Sequence, residues 1–338
     1  MKNDSSAVLA CTGAVIGAGF ASGREIVVFF SRYGEHAGWL VVLAAAMMAV
    51  LCWLCMRTAV SSAHSCWCEG ASDSWSQVCS LLLMVVNAGA MVSAAGQMTA
   101  LAWSHEWAYA IGAVGTLLLS WWMGYGRLKP LTFLSAFLTM ALLCAMLAAL
   151  AIQPRQMVLI RTAGISLAKL TGASIRAVGY AAMNMTLAIG VAWQSASNTK
   201  QIGKTSALFG LLVGILLMIG HCLYRQHPEI QASEFPMVAL LAGYGRKGYL
   251  FSIILLYLAV FTTLTSVLYA IRTAIEAHTK HWSVQILFIL GLPALLSCLG
   301  FSKIIERFYA PAGLICLFFV FLPMTGKCLH RIRTATFS

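Results

Sequence analysis

The chain has 338 residues, 60% of them hydrophobic and 9% charged, with a formal net charge of +12 and a mean hydropathy of +0.85. Soluble domains carry about a quarter charged residues and cannot hide this much apolar surface, so a soluble globular fold is excluded. The positive charge does not point to nucleic acid, because Lys and Arg stand singly or in pairs at the ends of apolar runs, where they serve as interface anchors.

Apolar runs of about twenty residues, the length that crosses a hydrocarbon core as a helix, recur from end to end. They predict ten spans, at about 7 to 31, 37 to 60, 77 to 103, 107 to 123, 131 to 152, 174 to 195, 204 to 223, 248 to 271, 283 to 300 and 308 to 329. The expected fold is therefore an all-α polytopic membrane protein, a single transport domain over 1 to 338 in a bacterial inner membrane. Ten spans divide into two halves of five, about 7 to 152 and 174 to 329, and an odd number per half gives the second half inverted topology. In that layout the first helix of each half is discontinuous, so spans one and six are expected to be broken. The longer polar connections, 153 to 173 and 224 to 247, follow spans five and seven and share a face. Lys and Arg divide almost evenly between faces and do not orient the chain.

Span one places Gly13, Gly17, Gly19 and Gly23 and the pair Arg24 and Glu25 inside an apolar segment. Each glycine weakens a helix by about 1 kcal/mol relative to alanine. An unsatisfied backbone group in lipid costs several kcal/mol, so a break is tolerated only where protein or a wet cavity supplies partners. The carbonyls of Gly13 and Ile16, ending the first half-helix, would suit a cation. The backbone from Gly17 through Ala18, Gly19, Phe20, Ala21 and Ser22, opening the second half, would suit a substrate carboxylate. Close helix packing through small residues is the plainer alternative, but it does not account for Arg24 and Glu25. Glu25 is the one carboxylate that falls inside a predicted span, which makes it the group for proton coupling, with Arg24 as its partner or as a gate.

In span three Asn87 and Gln97 read as interhelical hydrogen-bonding residues. In span six Tyr180 and Asn184 are candidate substrate ligands, Asn184 equally an interhelical hydrogen-bonding residue, although no glycine stands at its centre. Without a second buried acid or a cluster of buried cations, a small neutral zwitterion is the expected substrate. The cysteines scattered through apolar runs read as small hydrophobes, and the group His64, Cys66, Cys68 and Cys79 lacks paired metal-ligand spacing. His221, Cys222, His227 and Glu229 have no catalytic spacing, so no enzyme is expected, and no cofactor beyond a coupling ion. The expected partners are a small solute and the lipid bilayer; no nucleic acid is expected, and oligomeric state is left open.

Residues 13 to 30 resemble the opening signature of the YkvI-type family of bacterial membrane proteins. That family resembles in turn the amino acid, polyamine and organocation transporters and the sodium symporters of the LeuT fold. The resemblance implies a ten-helix inverted repeat and a sodium-coupled symporter of a small neutral amino acid working by alternating access. A proton-coupled carrier, an exporter or exchanger, and a non-transporting sensor are the alternatives. It also implies a sodium site formed by the carbonyls of Gly13, Ile16 and Thr262 and the hydroxyls of Thr265 and Ser266. Against that stands the ordinary tendency of such hydroxyls to bond to their own preceding turn.

Overall fold

The computed structural model describes residues 4–62, 74–103, 105–124, 137, 141, 144–149, 167–197, 199–276, 281–326 and 328, all of them in helices or short connections. The first span is three pieces, α1 (Asp4–Val15), α2 (Ala18–Ser22) and α3 (Arg24–Phe29). It is followed by α4 (Ala37–Val60), α5 (Ser74–Ala102) and α6 (Ala108–Met123). After a stretch outside the described residues come α7 (Leu167–Ala196), α8 (Ile202–Gln226), the short α9 (Pro236–Ala242) and α10 (Arg246–Glu276). The last two apolar helices are α11 (Trp282–Ser297) and α12 (Phe301–Gly326).

Among the described residues six helices are long and apolar enough to cross a membrane, and α6 and α11 are shorter apolar helices. The predicted fifth span, 131 to 152, lies mostly outside the described residues, as does the group His64, Cys66 and Cys68. A fragment of that span is seated in the bundle: Met146 is buried, and the Tyr244 hydroxyl donates to the Ala149 carbonyl at 3.4 Å.

Apolar side chains face both inward and outward, as bilayer solvation requires. Leu211 and Ile215 on α8, Ile254 on α10 and Ile315, Phe318 and Leu322 on α12 are all exposed. In water such a belt would drive association, whereas in lipid it costs nothing. Helices therefore meet through small residues. A Cβ on Gly313 of α12 would lie 1.9 Å from the Gly179 carbonyl oxygen of α7, and one on Gly210 of α8 2.6 Å from Ala49 Cβ of α4.

Both C-terminal helices are loosened by proline. Wider π-helical turns at Leu287–Gly291, Ile305–Tyr309 and Leu317–Phe321 each end two residues before a proline, Pro293, Pro311 and Pro323. Proline has no N–H and its ring presses on the carbonyl four residues earlier, so the preceding turn expands. In the second case the five-residue register would pair the Glu306 carbonyl with Pro311, which cannot donate. Arg176 of α7 takes that carbonyl instead, through Nη2 at 2.9 Å.

One expectation is corrected. Span six is continuous, a single 30-residue helix, because its Asn184 and Thr186 side chains bond within it and its Gly179 is packed against the Ala310 carbonyl.

Candidate functional site

The first span breaks twice. At Gly17 the backbone is extended (φ −90°, ψ −168°), and at Gly23 it is left-handed (φ 78°, ψ −10°). The donors that would continue α1 are diverted. The Gly17 amide bonds to the Val15 carbonyl at 2.9 Å, and the Ala18 amide to Thr263 Oγ1 of α10 at 3.3 Å. The Gly13 and Ala14 carbonyls thereby lose the amides four residues ahead that would have closed on them. The second break is occupied from outside the helix: a Cβ on Gly23 would fall 2.0 Å from the hydroxyl of Tyr224 on α8, so only glycine fits both the dihedral and the space.

Ala18 to Ser22 form one buried turn. Ser22 is already engaged, donating to the Gly19 carbonyl at 2.6 Å and accepting from the Arg24 amide at 3.1 Å. The left-handed residue Gly23 turns the next helix so that Glu25 folds back over this turn. A Cβ on Gly19 would lie 1.8 Å from Glu25 Oε1. The protein's own carboxylate thus stands beside the backbone that the sequence reading reserved for a substrate carboxylate. Glu25 is 5% exposed, its Oε2 has no hydrogen-bond partner, and it enters no ion pair among the described residues.

Around Glu25 stand Tyr180 and Tyr309, both fully buried. The Tyr180 hydroxyl is close to the carboxyl but makes no hydrogen bond of good geometry. Its ring packs on Phe29 (centroids 4.8 Å apart) and meets Phe30 edge-on at 5.3 Å. Asn184, one turn along α7, donates to the Tyr180 carbonyl at 3.1 Å. Tyr309 donates to Asn87 Oδ1 at 2.8 Å, tying α12 to α5.

Arg24 and Glu25 do not pair. Arg24 points the other way, its Nη1 bonding the carbonyls of Gln231 and Ser233 at 3.0 and 3.2 Å, and so clasps the connection between α8 and α9. On the same face Arg32 forms an ion pair with Glu306 at 2.6 Å, joining the end of the first span to α12.

The structure brings Glu25 onto the turn at Gly19 with Tyr180 close to its carboxyl, while Asn184 bonds within its own helix behind Tyr180. The residues of the implied sodium site are distributed differently. Gly13 lies inside α1 and Ile16 at its end. Thr265 donates to the Phe261 carbonyl at 2.8 Å and Thr262 to the Ala259 carbonyl at 3.1 Å. Ser266 lies on the exposed side of α10 and donates to the Thr262 carbonyl at 2.9 Å, so two of the five implied ligands bond each other. The α10 residue that reaches the break is Thr263. Sequence reasoning missed Thr263, Tyr224 and Tyr309. Thr263 had a signal, a hydroxyl one position away from the inspected pattern; the two tyrosines had none beyond a phenol in an apolar run.

Of the residues weighed for an enzyme, His221 is buried against the Ser31 hydroxyl at 3.1 Å, and His227 pairs with Glu229 at 3.0 Å in the connection after α8. Hydrogen bonds from its own backbone amide and from His227 hold the Glu229 carboxyl below the usual range. No group of three or more metal-ligating side chains occurs among the described residues.

No family model matches the chain. It is similar to the uncharacterized membrane protein YkvI of Bacillus subtilis (strain 168), 23% identical with 94% of each chain covered. Together with the span-length helices, this supports a multi-pass membrane protein.

Proposed function

We propose that the chain is a secondary active transporter of a bacterial inner membrane, carrying a small amine-bearing solute, with Glu25 as the group that exchanges positive charge with the pathway. One observation carries this reading: a buried carboxylate without a counter-ion among the described residues, folded onto the broken turn of the first span. Burying an ionised carboxylate unpaired costs many kcal/mol. Such a residue inside a membrane domain is retained where it takes a proton, an ion or an ammonium in the working cycle.

The neutral zwitterion remains the substrate class, with its roles redistributed. The Glu25 carboxylate repels a substrate carboxylate at the Gly19 turn and attracts the ammonium there. Proton coupling follows simply: with Glu25 protonated the pocket is uncharged, and releasing the proton opens a place for the ammonium. A helix already broken at Gly17 and Gly23 can bend at both points as the pocket opens to either side. In this reading the Arg24 clasp and the Arg32–Glu306 pair are the contacts that would part when that face opens. In this reading the ten spans form an inverted repeat with unequal partners, the first helix broken and the sixth whole.

Sodium coupling is the second reading, favoured by the diverted Gly17 and Ala18 amides, which no longer close on the Gly13 and Ala14 carbonyls. The test for both is solute-driven ion movement in proteoliposomes, read by a pH-sensitive dye across a panel of amino acids and amines, in sodium and in choline. The expected outcome is proton movement with an amine-bearing solute, indifferent to sodium and absent in Glu25→Gln. Uptake that requires sodium and survives Glu25→Gln would transfer the coupling role to the Gly13 to Thr263 side. Absence of any flux with a folded protein would sink the transporter reading.

A further inference from the structure

A second feature lies outside this centre. Between α7 and α12 is a groove of about 570 Å³, lined by Arg176, Glu306, Arg307, Ala310, Pro311 and Leu314. It exists because Pro311 expands the turn before it and leaves the Glu306 carbonyl to Arg176. Its walls are divided by chemistry. The guanidinium groups are at one end, Arg176 lying 5.8 Å over the Phe29 ring, and the apolar residues continue along α12.

The charge at the polar end is in excess, with two arginines and one acid in the lining. Glu306 is the acid in the lining, and its carboxylate is already paired with Arg32 at 2.6 Å. Neither Arg176 nor Arg307 enters an ion pair among the described residues, and Nε of Arg176 has no hydrogen-bond partner. At the apolar end the groove opens sideways. Pro311 is exposed, and beyond it Ile315 and Phe318 continue the outward-facing stripe of α12. A small soluble anion would satisfy the arginines but leave the apolar wall bare; a neutral lipid would do the reverse.

We infer that this groove binds an anionic phospholipid, its phosphate against Arg307 and Arg176 and one acyl chain along Pro311, Leu314 and Ile315. A phosphate there pairs with two arginines that enter no ion pair among the described residues, and the chain covers a notch in the apolar outer surface. The bound lipid would brace α7 against the proline-loosened part of α12, next to the Arg32–Glu306 pair.

The test uses the full chain purified in a neutral detergent, with the thermal unfolding midpoint read in phosphatidylglycerol, in phosphatidylcholine of the same acyl chains, and in glycerol 1-phosphate. Phosphatidylglycerol is expected to raise the midpoint above phosphatidylcholine, and glycerol 1-phosphate is expected to leave it unchanged. Arg307→Gln should weaken the apparent affinity for phosphatidylglycerol about fivefold, the worth of one arginine at a lipid surface, with the midpoint in phosphatidylcholine unaltered. Arg307 is exposed and makes no ion pair among the described residues, so this variant is expected to fold. Equal midpoints in the two lipids, or a phosphatidylglycerol effect untouched by Arg307→Gln, would overturn the inference. Equal stabilisation by glycerol 1-phosphate would overturn it too, leaving a pocket for free anions.

Discussion

The first span and α7 invite comparison, since both are membrane-length segments containing several glycines and a few polar side chains, yet one is broken twice and the other runs 30 residues without interruption. Glycine content does not explain the difference. In α7, Gly179 is pressed against the Ala310 carbonyl, while Asn184 and Thr186 bond to carbonyls one turn back. These two amide and hydroxyl groups find their partners within the helix, and no neighbour draws the backbone out of it. In the first span other helices supply the partners: Thr263 takes the Ala18 amide, and Tyr224 fills the space beside Gly23. A membrane helix breaks where neighbours accept what the break releases. This leaves α7 as a wall carrying Tyr180 and Asn184, and the first span as the element with two joints.

The sharpest way to break that comparison is at Gly23. Gly23→Ala imposes a left-handed conformation on a residue with a side chain and drives its Cβ into the Tyr224 hydroxyl. The expected loss is about 2–5 kcal/mol, seen as a large fall in the thermal midpoint of the purified protein.

Next is Gly19→Ala, whose Cβ meets the end of the flexible Glu25 side chain rather than backbone. A cost of about 1–3 kcal/mol is expected. Adding Glu25→Asp withdraws the carboxyl by one methylene and should recover much of it. A double-mutant cycle with no coupling between these two positions would mean that the carboxylate does not rest on the turn.

The smallest effect belongs to α7. A Cβ at Gly190 meets nothing within 4 Å, so Gly190→Ala should be neutral or stabilising by up to about 1 kcal/mol through helix propensity. If the midpoint fell as far as for Gly19→Ala, the two segments would not differ as described.

The first span was legible in the sequence to within a residue or two. Gly13, Gly17, Gly19 and Gly23 interrupt an apolar run, and two of them mark the joints. The break assigned to span six rested on symmetry between halves rather than on residues, and the absence of a central glycine near Tyr180 was the better guide. The proposed partnership of Arg24 and Glu25 also failed. Both follow the left-handed Gly23 at the start of α3, and adjacent residues leave a helix about 100° apart, one to the carbonyls of Gln231 and Ser233 and the other to Gly19.

By itself the sequence determined the solvent of this protein, its helical content, the position of the irregular first span and the presence of one acid within a span. These are properties that each segment carries locally, because hydropathy and backbone freedom add up residue by residue. Only the tertiary structure decided that Glu25 faces Gly19 with Tyr180 and Tyr309 beside it, that Thr263 rather than Thr262 reaches the break, and that Pro311 opens a basic groove against Arg176. Those depend on the rotation of one helix against another, and in a bilayer that rotation is set by where small residues such as Gly179 and Gly313 let two backbones touch.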